Sequence, residues 1–217
     1  MRCTARRTAR RTALVALLLG TACAPHAQSQ ATAPADSARR APASVATDSS
    51  RSYGTLSQSD LSLRMRSDEL EIRFVPLNER VTRLLAPDAY QSLRGLRAAR
   101  QTSIDSVARV NGLSQPGLAL VTFYGQRDGV RFDPQLLTVV SRGQFLRPVG
   151  VVPLSPGFTS QQLAQRGQAM AIFLYDEVIP VDEAFTLTYD TLTSDDWERK
   201  LPLLERERGR LTARMNH

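Results

Sequence analysis

Histidine and cysteine are nearly missing from this 217-residue chain, which has two of each. The histidines are His26 and His217 and the cysteines Cys3 and Cys23, so residues 56–216 contain neither an imidazole nor a thiol. A Ser-His-Asp triad, a histidine-dependent zinc peptidase, a His-Cys metal centre and a disulfide framework are excluded there. Lysine is scarcer still: Lys200 is the single example, and a serine-lysine pair would have to be built on it. No glycine-rich phosphate loop occurs, because Arg94-Gly95 and Arg142-Gly143 are isolated glycines in helical and turn contexts. No apolar run approaches the roughly 20 residues of an ordinary membrane span. An excess of one charge sign is also absent from most of the chain, although the formal net charge is +7. Five of the 28 basic residues precede Cys23, residues 23–217 carry 23 basic against 21 acidic groups, and from residue 56 onward the balance is 20 against 19. Such a balance gives no general attraction to phosphate polymers, and no nucleic-acid partner is expected.

What is present is concentrated first at the N-terminus. Arg2, Arg6, Arg7, Arg10 and Arg11 precede the apolar run Ala13 to Leu19, which closes on Gly20-Thr21-Ala22-Cys23. A positive region, a short apolar stretch and small residues at a cut predict an export signal over 1–22. Leu19-Gly20-Thr21-Ala22-Cys23 resembles the bacterial lipoprotein signal, with Gly20 where that family more often has Leu. The resemblance implies that Cys23 becomes the first mature residue and carries acyl chains such as palmitate on its thiol and its new amine. Each buried CH2 of such chains is worth about 0.8 kcal/mol, and more than one chain makes attachment stable. Ala24, a non-aspartate after the cysteine, resembles the outer-membrane sorting class, which implies a lipid anchor facing the periplasm. An ordinary secretory signal cut at Ala22 or after Ala24–Ala27 is the alternative and would release a soluble exported protein. Twin-arginine export through Arg10-Arg11 is a further alternative.

Residues 24–55 are dominated by Ala, Pro, Ser, Thr and Gln and have few large apolar groups with which to offset the entropy of packing. They predict, after Cys23, a flexible tether with an r.m.s. span of roughly 30 Å. The remainder, 56–217, predicts one β-rich domain. Leu61, Leu63 and Met65 alternate with polar residues as in a first or edge strand, and Leu70, Ile72 and Phe74 do so before Pro76. The period then lengthens. Asn78 can cap a helix opening with Glu79; Val81, Leu84 and Leu85 share a face; Ala86-Pro87-Asp88 starts another helix with Tyr90, Leu93 and Leu96; and Ile104, Val107 and Ala108 mark a third segment ending at Asn111-Gly112. Packing against the sheet is the expected role of this 78–111 insert, with binding as its alternative.

From Gly117 the chain reads as strands. Leu118 to Phe123 is strongly apolar, and Asp128-Gly129 before Val130-Arg131-Phe132 predicts a hairpin back onto it. Leu136 to Val140 is the next strand, Arg142-Gly143 a turn, and Phe145 to Val152 another strand in which Pro148 demands an edge or a bulge. Thr159 or Ser160 is expected to cap a short helix containing Leu163, Ala169 to Tyr175 to lie centrally, and Phe185, Leu187 and Tyr189 to line the last strand. A final helix is expected from Thr193 or Ser194, docked by Trp197, Leu201 and Leu204 and divided at Pro202, with a solvated tail from Glu205 to Arg214. The fold class that follows is mainly β, an antiparallel β-sandwich with a helical insert and a C-terminal helix; an immunoglobulin-like arrangement is one version of it.

No catalytic residue set is assigned. Asp176, Glu177, Asp182 and Glu183 flank Ile179-Pro180 and could gather around a hard cation, with calcium as the alternative to no cofactor at all. A solvated acidic loop is the reading preferred for them, because the regular spacing of a calcium loop is missing. Asp133-Pro134 reads as a turn. Phe123, Phe132, Phe145, Phe173 and Phe185 are expected in the core, whereas Phe158, Tyr124, Tyr175, Tyr189 and Trp197 are candidates for a partner-binding surface. The sequence thus predicts a lipid-anchored envelope protein with a non-catalytic binding or structural role toward an envelope protein or a cell-wall polymer. A carboxylate-dependent hydrolase of such a polymer or of a saccharide competes with it and needs two carboxylates from 128–133 or 176–190 in one cleft. A soluble exported binding protein is the third reading.

Overall fold

The computed structural model describes residues 53–216. The signal, Cys23, residues 24–52 of the expected tether and His217 lie outside the described residues. Two antiparallel sheets share one apolar core. The larger contains β1 (Leu63–Arg66), β2 (Leu70–Pro76), β3 (Gly117–Gly125), β9 (Gln168–Tyr175) and β7 (Pro148–Pro153), side by side in that order. The smaller is ordered β11 (Leu192–Ser194), β10 (Thr186–Tyr189), β5 (Leu137–Ser141) and β6 (Gln144–Leu146). β4 (Val130–Arg131) and β8 (Gln162–Leu163) form a separate short pair.

The central strands explain the architecture. β3 is buried along nearly its whole length, and β9 is buried from Ala171 to Tyr175, as expected for apolar strands covered on both faces. Each large apolar side chain so buried contributes roughly 1.5–3 kcal/mol. Phe74 of β2 meets Phe185 at 6.4 Å between ring centroids, and Phe123 of β3 meets Tyr189 of β10 at 5.8 Å. These contacts close the two sheets on each other in the expected antiparallel, sandwich-like manner. The order is not that of an immunoglobulin domain, where the third strand crosses to the opposite sheet; here β1, β2 and β3 are consecutive neighbours.

The helical insert joins β2 to β3 as α2 (Glu79–Thr82), α3 (Pro87–Ala99) and α4 (Gln101–Val110), after a short α1 (Gln58–Leu61) before β1. Val81, Leu84, Leu85, Tyr90, Leu93, Ile104 and Ala108 are buried, as the spacing predicted. α4 lies against β7, where a Cβ on Gly150 would stand 2.3 Å from Cγ1 of Val107. The close approach needs a glycine there.

Several local expectations are corrected. The hairpin from β3 through Asp128-Gly129 does not form, because both edges of β3 are taken by β2 and β9, and Val130-Arg131 pairs instead with Gln162-Leu163. Leu163 is accordingly in β8, and the short helix α5 is Gly157–Ser160. Phe145 to Val152 is two strands in different sheets, since the chain changes sheet between Leu146 and Pro148. Pro148 sits at the outer edge, where its missing N–H costs no ladder bond, beside a register shift before Gly150. Thr193 and Ser194 belong to an unforeseen strand, β11, and the last helix, α6 (Asp196–Met215), starts after Asp195. Pro202 does not divide it; the residue is exposed, so water can take the carbonyl that loses its amide partner.

Candidate functional site

The best-formed constellation lies where the chain enters the described domain. Asn78 caps α2, its side chain accepting the Arg80 N–H at 3.0 Å, which sets Glu79 at the start of the first turn. One turn later Arg83 returns its Nε to Glu79 Oε1 at 2.8 Å, and Tyr90 of α3 donates its hydroxyl to the same oxygen at 2.7 Å. Oε2 of Glu79 has no hydrogen-bond donor among the described residues. The Tyr53 ring stands 4.7 Å from that of Tyr90, tilted by 39°. Gly54 sets Tyr53 in place: its N–H donates to the Arg83 carbonyl at 2.9 Å, and a Cβ would lie 1.9 Å from the Leu84 carbonyl oxygen. Tyr53, Glu79, Arg83 and Tyr90, with Leu77, Leu93, Arg94 and Arg97, line an open cavity of about 580 Å³.

Electrostatics hold the constellation together. Partial burial pushes the Glu79 carboxyl up, but the hydrogen bonds from Arg83 and Tyr90 and the charges of Arg83 and Arg97 outweigh it and keep the group below its ordinary 4.5. The Tyr90 phenol is raised, first by its hydrogen bond to the Glu79 carboxylate and then by desolvation. Arg94 and Arg97, on successive turns of α3 beyond Tyr90, are exposed and have no carboxylate partner among the described residues.

A second cavity, about 630 Å³, lies beside the β4–β8 pair and the turn between β10 and β11, and Glu69, Arg131, Asp133, Gln161, Tyr189 and Asp190 are among its lining residues. Asp133 caps a single 3-10 turn by accepting the Gln135 N–H at 2.9 Å, while its own N–H donates to the Tyr189 hydroxyl at 2.9 Å. Glu69 approaches Arg127 at 3.8 Å. Asp190 and Gln161 hold φ of 48° and 50°, both in tight turns at the rim.

Of the five aromatic residues read as a partner-binding surface, four are interior. Phe158 packs among Phe123, Phe132 and Phe173; Tyr175 and Trp197 are fully buried; and Tyr189 is 7% exposed at the second cavity. Their rings have more apolar area to remove from water than their one polar atom needs hydrated. Trp197 stacks on Phe185 at 5.0 Å and donates Nε1–H to the Val181 carbonyl at 3.3 Å. The Tyr175 hydroxyl has no partner among the described residues, and burial pushes its pKa far up. Only Tyr124 remains partly exposed, under the Arg73 guanidinium at 5.3 Å. Phe145, expected in the core, is instead 68% exposed on the edge strand β6.

The four loop acids are not brought together. Asp182 pairs with Arg80 of α2 and with Arg208 of α6, Glu183 pairs with Arg142, and Asp176 and Glu177 are exposed. No group of three or more metal-type side chains converges among the described residues. Lys200 donates to the Ser59 carbonyl at 3.3 Å and to no serine hydroxyl. The tail expected to be solvated carries a buried Glu207, 1% exposed, which accepts the Thr55 N–H at 2.8 Å and the Thr55 hydroxyl at 3.0 Å and pairs with Arg210 and Arg214 at 3.4 Å. Tyr53 to Thr55, read as tether, are thereby part of the packed body.

Sequence reasoning missed Tyr53, Glu79, Arg83, Tyr90, Arg94 and Arg97 as site residues, reading Glu79 and Tyr90 only as a helix start and a packing residue. The available signal was spacing: Tyr90, Arg94 and Arg97 recur along one side of a helix, and Glu79 stands four residues before Arg83. No helix among the described residues is long and apolar enough to cross a membrane. Comparison of the chain with protein-family models, with curated proteins and with solved structures found no match.

Proposed function

We propose that the chain is a lipid-anchored protein of the bacterial envelope, at the outer membrane and facing the periplasm, whose domain binds another envelope component without transforming it. The anchoring part is supported by the export signal and Cys23. The binding part is carried by the cavity at Tyr53, Glu79 and Tyr90. Its volume of about 580 Å³ falls within the roughly 300–1,000 Å³ that ligand sites occupy, and charged and aromatic side chains line it together with Leu77 and Leu93. Palmitate labelling with membrane fractionation tests the anchor: label and membrane recovery are expected together, and both should be lost in Cys23→Ala. Release of the protein regardless of Cys23 would establish the soluble exported form instead.

A carboxylate-dependent hydrolase is the second reading, favoured by Asp133 and Asp190 lining one cavity with Glu69. It requires release of soluble sugars from purified cell-wall polymer that Asp190→Asn abolishes. The commitment of Asp133 to its turn weighs against that carboxylate as a catalytic group.

A further inference from the structure

The arginines of the first cavity deepen the binding reading, on which this inference rests. We propose that the cavity binds a phosphoryl dianion carrying an apolar or aromatic group, with the phosphoryl oxygens held between Arg94 and Arg97 and the apolar part against Tyr53, Tyr90 and Leu93.

Three observations support this. First, the sign of the cavity is set by its unpaired groups. Glu79 is already engaged by Arg83 and Tyr90 through one oxygen, whereas Arg94 and Arg97 are open, so three guanidinia face a single carboxylate in a domain otherwise close to charge balance. Both arginines line the same cavity as the Glu79–Tyr90 pair. Second, two planar guanidinium forks on successive turns can offer more donors than one carboxylate can accept. A phosphoryl group, with three acceptor oxygens and up to two charges, matches them. Third, the remaining wall suits an organic substituent. Tyr53 and Tyr90 present adjacent rings, and the Oε2 atom of Glu79 is left to accept from a ligand hydroxyl or amine. Beyond Arg97 and Gln101, which border both, a neighbouring cavity of about 530 Å³ runs along α4 past Ile104 and Leu113, leaving room for a longer apolar chain.

The test titrates the full chain, reconstituted in detergent-free phosphatidylcholine vesicles, with phenyl phosphate, inorganic phosphate and benzoate, followed by calorimetry. Phenyl phosphate is expected to saturate one site. Arg94→Ala/Arg97→Ala should weaken it at least tenfold while Arg206→Ala, an exposed arginine on α6, leaves it unchanged. Tyr53→Ala should remove the advantage of phenyl phosphate over inorganic phosphate and leave the affinity for inorganic phosphate intact. Vesicles of phosphatidylcholine with and without phosphatidic acid separate the two sources of such a group. Competition by phosphatidic acid vesicles assigns the ligand to a lipid headgroup, and its absence alongside phenyl phosphate binding assigns it to a soluble monoester. Benzoate binding as tightly as phenyl phosphate, or equal binding by the double variant with its fold intact by circular dichroism, overturns the proposal. That result would leave palmitate labelling at Cys23 and any envelope partner of another surface untouched, so the two failures are distinct.

Discussion

The cavity between α2 and α3 and the one beside the β10–β11 turn are similar in size and opposite in charge. Between α2 and α3 the lining has three arginines against one glutamate, whereas beside the β10–β11 turn it has Glu69, Asp133 and Asp190 against Arg131. They differ more in how their polar groups are used. In the first, Glu79 is locked by two side-chain donors and two arginines are left over; in the second, Asp133 is occupied by a backbone turn and Glu69 by a loose surface pair. A binding site needs groups that are held in place yet still have donors or acceptors to offer. The first cavity sets a fixed Glu79–Arg83–Tyr90 cluster beside two arginines with donors to spare, and this decides which of the two carries the functional reading.

The comparison can be broken most strongly from beneath. Glu207→Ala should cost about 1–3 kcal/mol, the range for leaving a hydrogen-bonded group without its partner, because the Thr55 N–H and hydroxyl would lose their acceptor while the exposed Arg210 and the partly exposed Arg214 can hydrate. The loss should be local in its consequence: amide exchange at Gly54 and Leu56 is expected to rise, Tyr53 to leave the first cavity, and the second to be unaffected. Equal loosening at Asp133 and Gln162 would show that the cavities are not independent.

Two tyrosine-to-phenylalanine changes come next and should differ in sign. Tyr189→Phe strips the acceptor from the Asp133 N–H and is expected to destabilise by about 1–2 kcal/mol while loosening only the second cavity. Tyr175→Phe removes a fully buried hydroxyl that has no partner among the described residues, and it should be neutral or stabilise by about 1 kcal/mol. Denaturant melts of the two variants measure both, and a destabilised Tyr175→Phe would mean that its hydroxyl has a bonding partner.

The smallest effect is on acid stability, and it belongs to the first cavity alone. Because the Glu79 pKa is held below 4.5 in the folded state, its stabilising contribution is complete above about that pH and is lost as pH falls through the folded value. Glu79→Gln should therefore flatten the stability profile on the acid side of pH 4.5. The group is largely exposed, so the change should be modest and should shrink in salt. An unchanged profile would mean that the carboxylate is not engaged by Arg83 and Tyr90 in solution.

Much of this fold was legible where a single physical rule governs a segment. Leu70, Ile72 and Phe74 alternate and form β2; Asn78 and Glu79 announce a helix start; Ala169 to Tyr175 is apolar without interruption and lies between two strands. The failures occur where partners compete. Asp128-Gly129 is a sound hairpin signal, yet β9 pairs with β3 over eight residue pairs, whereas β4 could supply only a two-residue strand. The aromatic residues failed as site candidates for a related reason. A ring with a polar tip suits an interface or a core equally well, and only the neighbours decide which.

Sequence alone determined the chemistry that the domain lacks, the near-neutral charge beyond Cys23, the antiparallel β character and the position of the helical insert, because composition and short-range periodicity encode these directly. The tertiary structure decided which strands are neighbours, that Glu207 of the last helix fastens Thr55, and that Tyr53, Glu79, Tyr90, Arg94 and Arg97 surround one cavity. Those outcomes depend on segments up to 152 residues apart meeting in space, and on competition between partners for the same strand edge or buried volume, which no local pattern records.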